Sequence, residues 1–149
     1  MKKQNSNCEF SSERSELLIR NYRESLARQS QISMQRAFTD AVETPAPRFW
    51  VSEARAMRVI TMMMKQCSRE GADPSQTDIL EGMHTEKRKM YLEIYRRVMA
   101  KKKESPETPL GDIVFEVVNS PAPRYYLTWY SAQKMLQNNR KSTIRKLRG

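Results

Sequence analysis

The chain carries one histidine, His84, and two cysteines, Cys8 and Cys67. These cannot supply the four Cys/His ligands of a structural zinc site. The four glycines stand singly, at 71, 82, 111 and 149, so there is no Gly-rich phosphate loop. The acidic residues are scattered over predicted helix starts, and no Cys/His pair suits nucleophilic catalysis. The chain is therefore expected to be no enzyme and to hold no metal or cofactor. No run approaches the ~18 apolar residues of a membrane-spanning helix, and the greasiest stretch, 60–64, is short. Residues 1–10 lack the apolar stretch of a secretory signal and read as a disordered start. Both cysteines are then expected as free thiols in a reducing cytoplasm.

What remains is basic and rich in methionine. The 149 residues carry 27 Lys and Arg against 17 Asp and Glu, a net charge of +10, with 10 Met. Split at position 75, the halves carry net +3 and +7, so the basicity is concentrated late. A balance of this size points to a polyanion, nucleic acid before an anionic membrane surface. Scarce glycine and short β-branched clusters favour helices. The expected fold class is all-α.

The chain also repeats itself. Thr44-Pro45-Ala46-Pro47-Arg48-Phe49-Trp50-Val51-Ser52 returns 76 positions later as Ser120-Pro121-Ala122-Pro123-Arg124-Tyr125-Tyr126-Leu127-Thr128. Upstream, the stretch beginning Ser12-Glu13-Arg14 aligns with Thr85-Glu86-Lys87 at an offset of 73. The expected organisation is a tandem duplication: a disordered start at 1–10, a first three-helix repeat at 11–67, a linker at 68–84, a second repeat at 85–141 and a basic tail at 142–149.

Each copy reads as three helices. In copy two the first has a capping hydroxyl at Thr85 and an apolar stripe of Met90, Tyr91, Ile94, Tyr95, Val98 and Met99, spaced for one helical face. Copy one has Leu17, Leu18, Tyr22 and Leu26 there. Asn21 and Ser25 stand where Ile94 and Val98 do, which predicts a narrower buried face. The second helix buries Ala37, Phe38, Ala41 and Val42, or Ile113, Val114, Val117 and Val118, with Thr108 as cap and Pro109 as first helical residue in copy two. It stops at Pro45 or Pro121. The third starts at Ser52 or Thr128 and buries Ala56, Val59, Ile60 and Met63, or Ala132, Met135 and Leu136. The aromatic triplets before it are expected to close the core, as a short extended segment. Arg48 and Arg124 either grip phosphate or cap the preceding helix. The linker's Asp78-Ile79-Leu80 fits one short turn, and His84 reads as exposed and without a role.

Val51-Ser52 and Leu127-Thr128, followed a turn later by Ala56 and Ala132, resemble the start of the recognition helix in helix-turn-helix DNA-binding proteins. The resemblance covers 33–66 and 109–141. The turn here is longer than the usual 3–4 residues, carries two prolines and lacks the usual glycine, so it does not set the crossing angle of its helices. The Pro-Ala-Pro-Arg-aromatic block is loosely similar to small uncharacterised bacterial proteins, some on mobile elements. The resemblance implies a regulatory or architectural protein that binds double-stranded DNA through the third helix of each repeat. Copy two offers Arg124, Trp129, Tyr130, Ser131, Gln133, Lys134, Gln137, Asn138 and Lys141. Gln and Asn suit adenine edges, and Lys suits guanine or phosphate. Copy one offers Arg48, Arg55, Arg58, Thr61 and Lys65, with Glu53 opposing.

The main alternative is a protein-interaction module, on its Met-rich helix with Trp50 and Trp129, or self-association. RNA binding ranks third, because base-stacking aromatics usually sit on a sheet. Membrane-surface binding ranks fourth, since the basic tail lacks a broad apolar face. The expected location is the cytoplasm, on the nucleoid if DNA is bound.

Overall fold

The computed structural model describes residues 6–137. Among them the chain is helical and has no strand. The helices are α1 (Ser6–Arg28), α2 (Met34–Glu43), α3 (Glu53–Glu70), α4 (Thr85–Glu104) and α5 (Leu110–Val118). A sixth, α6, begins at 129 and is described to 137. Single 3-10 turns form at Pro74–Gln76 and Asp78–Leu80. No helix among the described residues is long and apolar enough to cross a membrane.

Local chemistry sets the ends. The Ser33 and Ser52 hydroxyls accept from the N–H of Arg36 and Arg55, each at 3.2 Å, satisfying first-turn donors that have no partner inside the helix. α3 ends at Gly71, whose φ of 63° is left-handed and suits glycine. Two ends differ from expectation. His84, not Thr85, caps α4: its Nδ1 accepts from the Glu86 N–H at 3.3 Å, so this exposed histidine has a local role. Pro109 is the cap of α5 and Leu110 its first residue, one position later than the Thr108 cap predicts. α1 begins at Ser6, inside the stretch read as disordered, and Phe10 is buried.

The helices collect into two compact units. One comprises the described parts of Met1–Ala46 and Pro123–Gly149; the other is Pro47–Ala122. The expected repeats follow the chain in order, whereas these units cut across them. The first unit holds α1 and α2 of copy one with α6 of copy two. The second holds α3 of copy one with α4 and α5 of copy two. Each Pro-Ala-Pro segment carries the chain from one unit to the other. Thr44 and Ala46 both precede proline, which disfavours helical geometry and keeps the backbone extended. Thr44 accordingly sits at φ −70°, ψ 142°.

In the first unit the inner residues of α2, namely Ala37, Phe38, Ala41 and Val42, are buried with Leu18 of α1 and Ala132 and Leu136 of α6. Tyr125 N–H donates to Val42 O at 2.9 Å, which seats the lead-in to α6 on α2. The buried face of α1 is not narrowed by its polar pair. Asn21 and Ser25 are both buried. Asn21 donates to Ala41 O at 3.4 Å and to the Tyr125 hydroxyl at 3.5 Å, and Ser25 donates to Asp40 Oδ2 at 2.7 Å. Partners let these polar groups occupy core positions.

In the second unit α3 packs on α4 and α5. Phe49 N–H donates to Val118 O at 3.0 Å, the counterpart of the Tyr125 bond. Ala56, Ile60 and Met63 of α3, Tyr91, Ile94 and Val98 of α4, and Val114, Val117 and Val118 of α5 are buried. Of the three consecutive methionines only Met63 is core, and Met62 is exposed. Phe49, Trp50, Val51, Tyr125 and Tyr126 are buried as expected of core closures, with Leu127 half-buried, but neither triplet forms a strand. Tyr126 lies at φ 56°, a left-handed conformation that a bulky side chain rarely takes.

Glu93 holds two arginines of its own helix, α4. Its carboxylate accepts from Arg96 at 2.6 Å and from Arg97 at 2.7 Å. Arg97 reaches on to Pro121 O at 2.8 Å and lies 5.0 Å above the Phe49 ring centroid. The hydrogen bond from Arg96, then that from Arg97, holds the Glu93 carboxyl below its ordinary range against an opposing effect of burial. A depressed carboxylate stabilises the fold above its unfolded pKa, and that contribution is lost as pH falls through the folded value. Acidification below about pH 4.5 should therefore lower the melting temperature of the second unit. Glu93→Gln should be less stable at neutral pH and flatter across that window, as thermal unfolding would show.

Candidate nucleic-acid interface

The third helices begin alike. Ser52 caps α3 and Thr128 caps α6, whose Oγ1 accepts from the Ser131 N–H at 3.1 Å. Thr128 also donates to the Ser131 hydroxyl at 3.0 Å. Ser131, expected to face DNA, thus has its hydroxyl engaged in the cap.

The next residues of α6 divide between two directions. Ala132 and Leu136 face the core. Gln133 and Gln137 line an apolar groove of about 440 Å³ with Ile19, Tyr22, Leu26, Met34 and Phe38. Tyr130, Lys134 and Gln137 are exposed, at spacings of four and three that place them on one helical face. The Lys134 ammonium lies 4.8 Å from the Tyr130 ring centroid, within cation–π range. Trp129 meets Tyr130 edge-on at 5.9 Å. Residues 129–137 contain no acid, so the positive charge of this face is uncompensated along the helix. Asn138 and Lys141 lie outside the described residues.

The two arginines of the repeated block serve the fold. Arg48 donates to Phe49 O and Val51 O, both at 2.9 Å, and to Asn119 Oδ1 at 3.2 Å. Asn119 closes α5. Arg124 pairs with Glu43, the last residue of α2, at 2.8 Å, and its guanidinium lies 5.3 Å from the Tyr126 ring centroid. Positions 43 and 119 are themselves 76 apart. Each arginine therefore braces the entry to its third helix against the end of the other copy's second helix.

No known protein family, curated protein or solved structure matches this chain. Any functional reading rests on its own residues.

On α3, Arg55 and Arg58 are exposed. Arg55 Nε donates to the Tyr91 hydroxyl at 3.2 Å, which holds the guanidinium along the helix surface. Lys65 and Arg69 continue the same face and are exposed too. Arg69 falls beyond the expected repeat boundary at 67, while α3 runs to Glu70. The 3-4-3-4 spacing of 55, 58, 62, 65 and 69 was the signal that could have found it. Among the described residues no group of His, Cys, Asp and Glu is placed to hold a metal ion.

Proposed function

We propose that this chain is a non-enzymatic double-stranded DNA-binding protein, regulatory or architectural, acting in the cytoplasm through α3 and α6. In this reading it is a duplicated helix-turn-helix-like unit whose third helices are exchanged between the compact units. The observation that carries it is the acid-free outer face of α6, where Tyr130, Lys134 and Gln137 stand exposed together. An amide, an ammonium and an aromatic ring suit base edges, phosphate and sugar contacts.

Fluorescence anisotropy with duplex DNA across a salt series tests the proposal. Phosphate contacts make log K fall linearly with log salt. Lys134→Ala should cost about 1–3 kcal/mol of affinity with an unchanged circular dichroism spectrum. Gln133→Ala should cost less, because Gln133 is half-buried along the groove. Absence of duplex binding at low salt would defeat the proposal.

The apolar groove beside α6 favours a second reading, a protein-interaction module. Exposed Met34 and the stacked pair Tyr22 and Phe38, with centroids 4.3 Å apart, form much of its wall. Soft and aromatic side chains are common in protein interfaces. This reading takes first place if duplex binding fails.

A further inference from the structure

α3 holds two acids among its 18 residues, Glu53 and Glu70. Both accept hydrogen bonds from amide side chains outside the cationic line. Glu53 Oε1 accepts from Asn119 Nδ2 at 3.1 Å and lies 4.0 Å from Arg48. Glu70 Oε2 accepts from Gln66 Nε2 at 3.2 Å. Arg58, Lys65 and Arg69 make no ion pair within the second unit, all of which is described. Arg55 meets the Tyr91 hydroxyl, which burial keeps protonated to higher pH than usual, so that partner does not neutralise it.

The line therefore carries four cations, at 55, 58, 65 and 69, with Met62 at its centre, 43% exposed. At 1.5 Å per residue it extends about 21 Å. Phosphates of one DNA strand recur about every 3.4 Å along the duplex axis, so the line spans roughly six of them. It includes no amide, in contrast to α6 with Gln133 and Gln137. Arg and Lys also meet guanine edges, but a line of cations about six phosphates long matches the backbone, and Tyr91 holds Arg55 along the helix surface. A shallow hollow of about 250 Å³ beside Met62, Lys65 and Arg69 also includes Glu70 and Asp78. Those carboxylates mark one flank of the line as closed to polyanions.

We propose that the α3 line Arg55–Arg58–Lys65–Arg69 is a phosphate rail, binding the sugar–phosphate backbone of duplex DNA without reading its sequence. It rests on the DNA-binding reading and gives α3 a different task from α6: α3 supplies affinity for any duplex, and α6 supplies discrimination.

The test compares the full-length chain with the triple variant Arg58→Gln, Lys65→Gln, Arg69→Gln, by anisotropy on a random-sequence duplex across a salt series. Each lost phosphate contact should lower the salt slope by about 0.9, so the triple variant should lose between 2 and 3 and bind roughly a hundredfold more weakly at 0.1 M salt. The control Lys87→Gln, Lys89→Gln, Lys103→Gln removes the same charge from α4 and should change the slope by less than one contact. An unchanged slope in the α3 variant, or an equal loss in the control, overturns the rail. If Lys134→Ala still weakens binding in that case, the DNA-binding reading survives alone, and an acidic protein surface becomes the better partner for the α3 line. If the native chain binds no duplex at any salt, both readings fall.

Discussion

A protease site inserted after Gly71 should be cleavable without separating the two fragments. Gly71 is exposed, and nothing lies within 4 Å of a Cβ built there, so the insertion has room. The cut leaves α1, α2 and α3 on one fragment and α4, α5 and α6 on the other. The compact units divide differently: α6 belongs with α1 and α2, and α3 with α4 and α5. Each fragment thus contributes a helix to the core that the other mostly builds. Separation would expose Ile60 and Met63 of α3, both fully buried. It would also break the Phe49–Val118 and Tyr125–Val42 backbone bonds. Complete burial of one large apolar side chain is worth about 1.5–3 kcal/mol, and two cores would be opened at once. After cleavage, size-exclusion chromatography should return one species at the mass of the intact chain, resolving into two only in denaturant. Two half-mass species in native buffer would mean that each copy closes on its own third helix.

The helices and their inner faces were legible because burial imposes a period of 3.6 residues. Ala37, Phe38, Ala41 and Val42, and likewise Ile113, Val114, Val117 and Val118, follow it without interruption. Asn21 and Ser25 break the apolar pattern, yet both are buried, because polarity does not imply exposure where partners exist. Their partners, Ala41 O, the Tyr125 hydroxyl and Asp40, come from other elements and leave no local trace. The grouping of α6 with α1 and α2, and of α3 with α4 and α5, was hidden for a deeper reason. A duplicated sequence presents the same docking chemistry twice, and pattern alone does not say which copy a helix joins. The two prolines of each crossing segment were the available hint, since they extend the chain where a short turn would fold it back.

The candidate interface was legible as chemistry and less so as direction. Lys134 and Tyr130 point outward as their spacing implied. Gln133 is one position from that face and is half-buried beside the groove. Arg48 and Arg124 looked available for phosphate because an arginine beside aromatics has two common uses. Only the folded chain shows Asn119 and Glu43 waiting for them. Arg69 was missed because repeat alignment set a boundary that the helix itself does not observe.

Phe49→Ala should be the most damaging single change to the second unit. The ring is 1% exposed, and its backbone N–H seats the entry of α3 on α5 through Val118 O. Arg97 covers the ring while held by Glu93 and Pro121 O, so the walls of the resulting cavity are tied and collapse poorly. Truncating a buried Phe to Ala costs about 3–5 kcal/mol, against total stabilities of roughly 5–15 kcal/mol. The chain supplies its own reporters, because Trp50 lies in the second unit and Trp129 in the first. In a Trp129→Phe background, urea unfolding followed by Trp50 fluorescence should shift to a much lower midpoint with Phe49→Ala. Phe49→Leu, which keeps most of the apolar volume, should lose less than half as much. Tyr125→Ala, followed through Trp129 in a Trp50→Phe background, is the matching experiment on the first unit. An unmoved midpoint for Phe49→Ala would show that the lead-in to α3 does not hold the second core together.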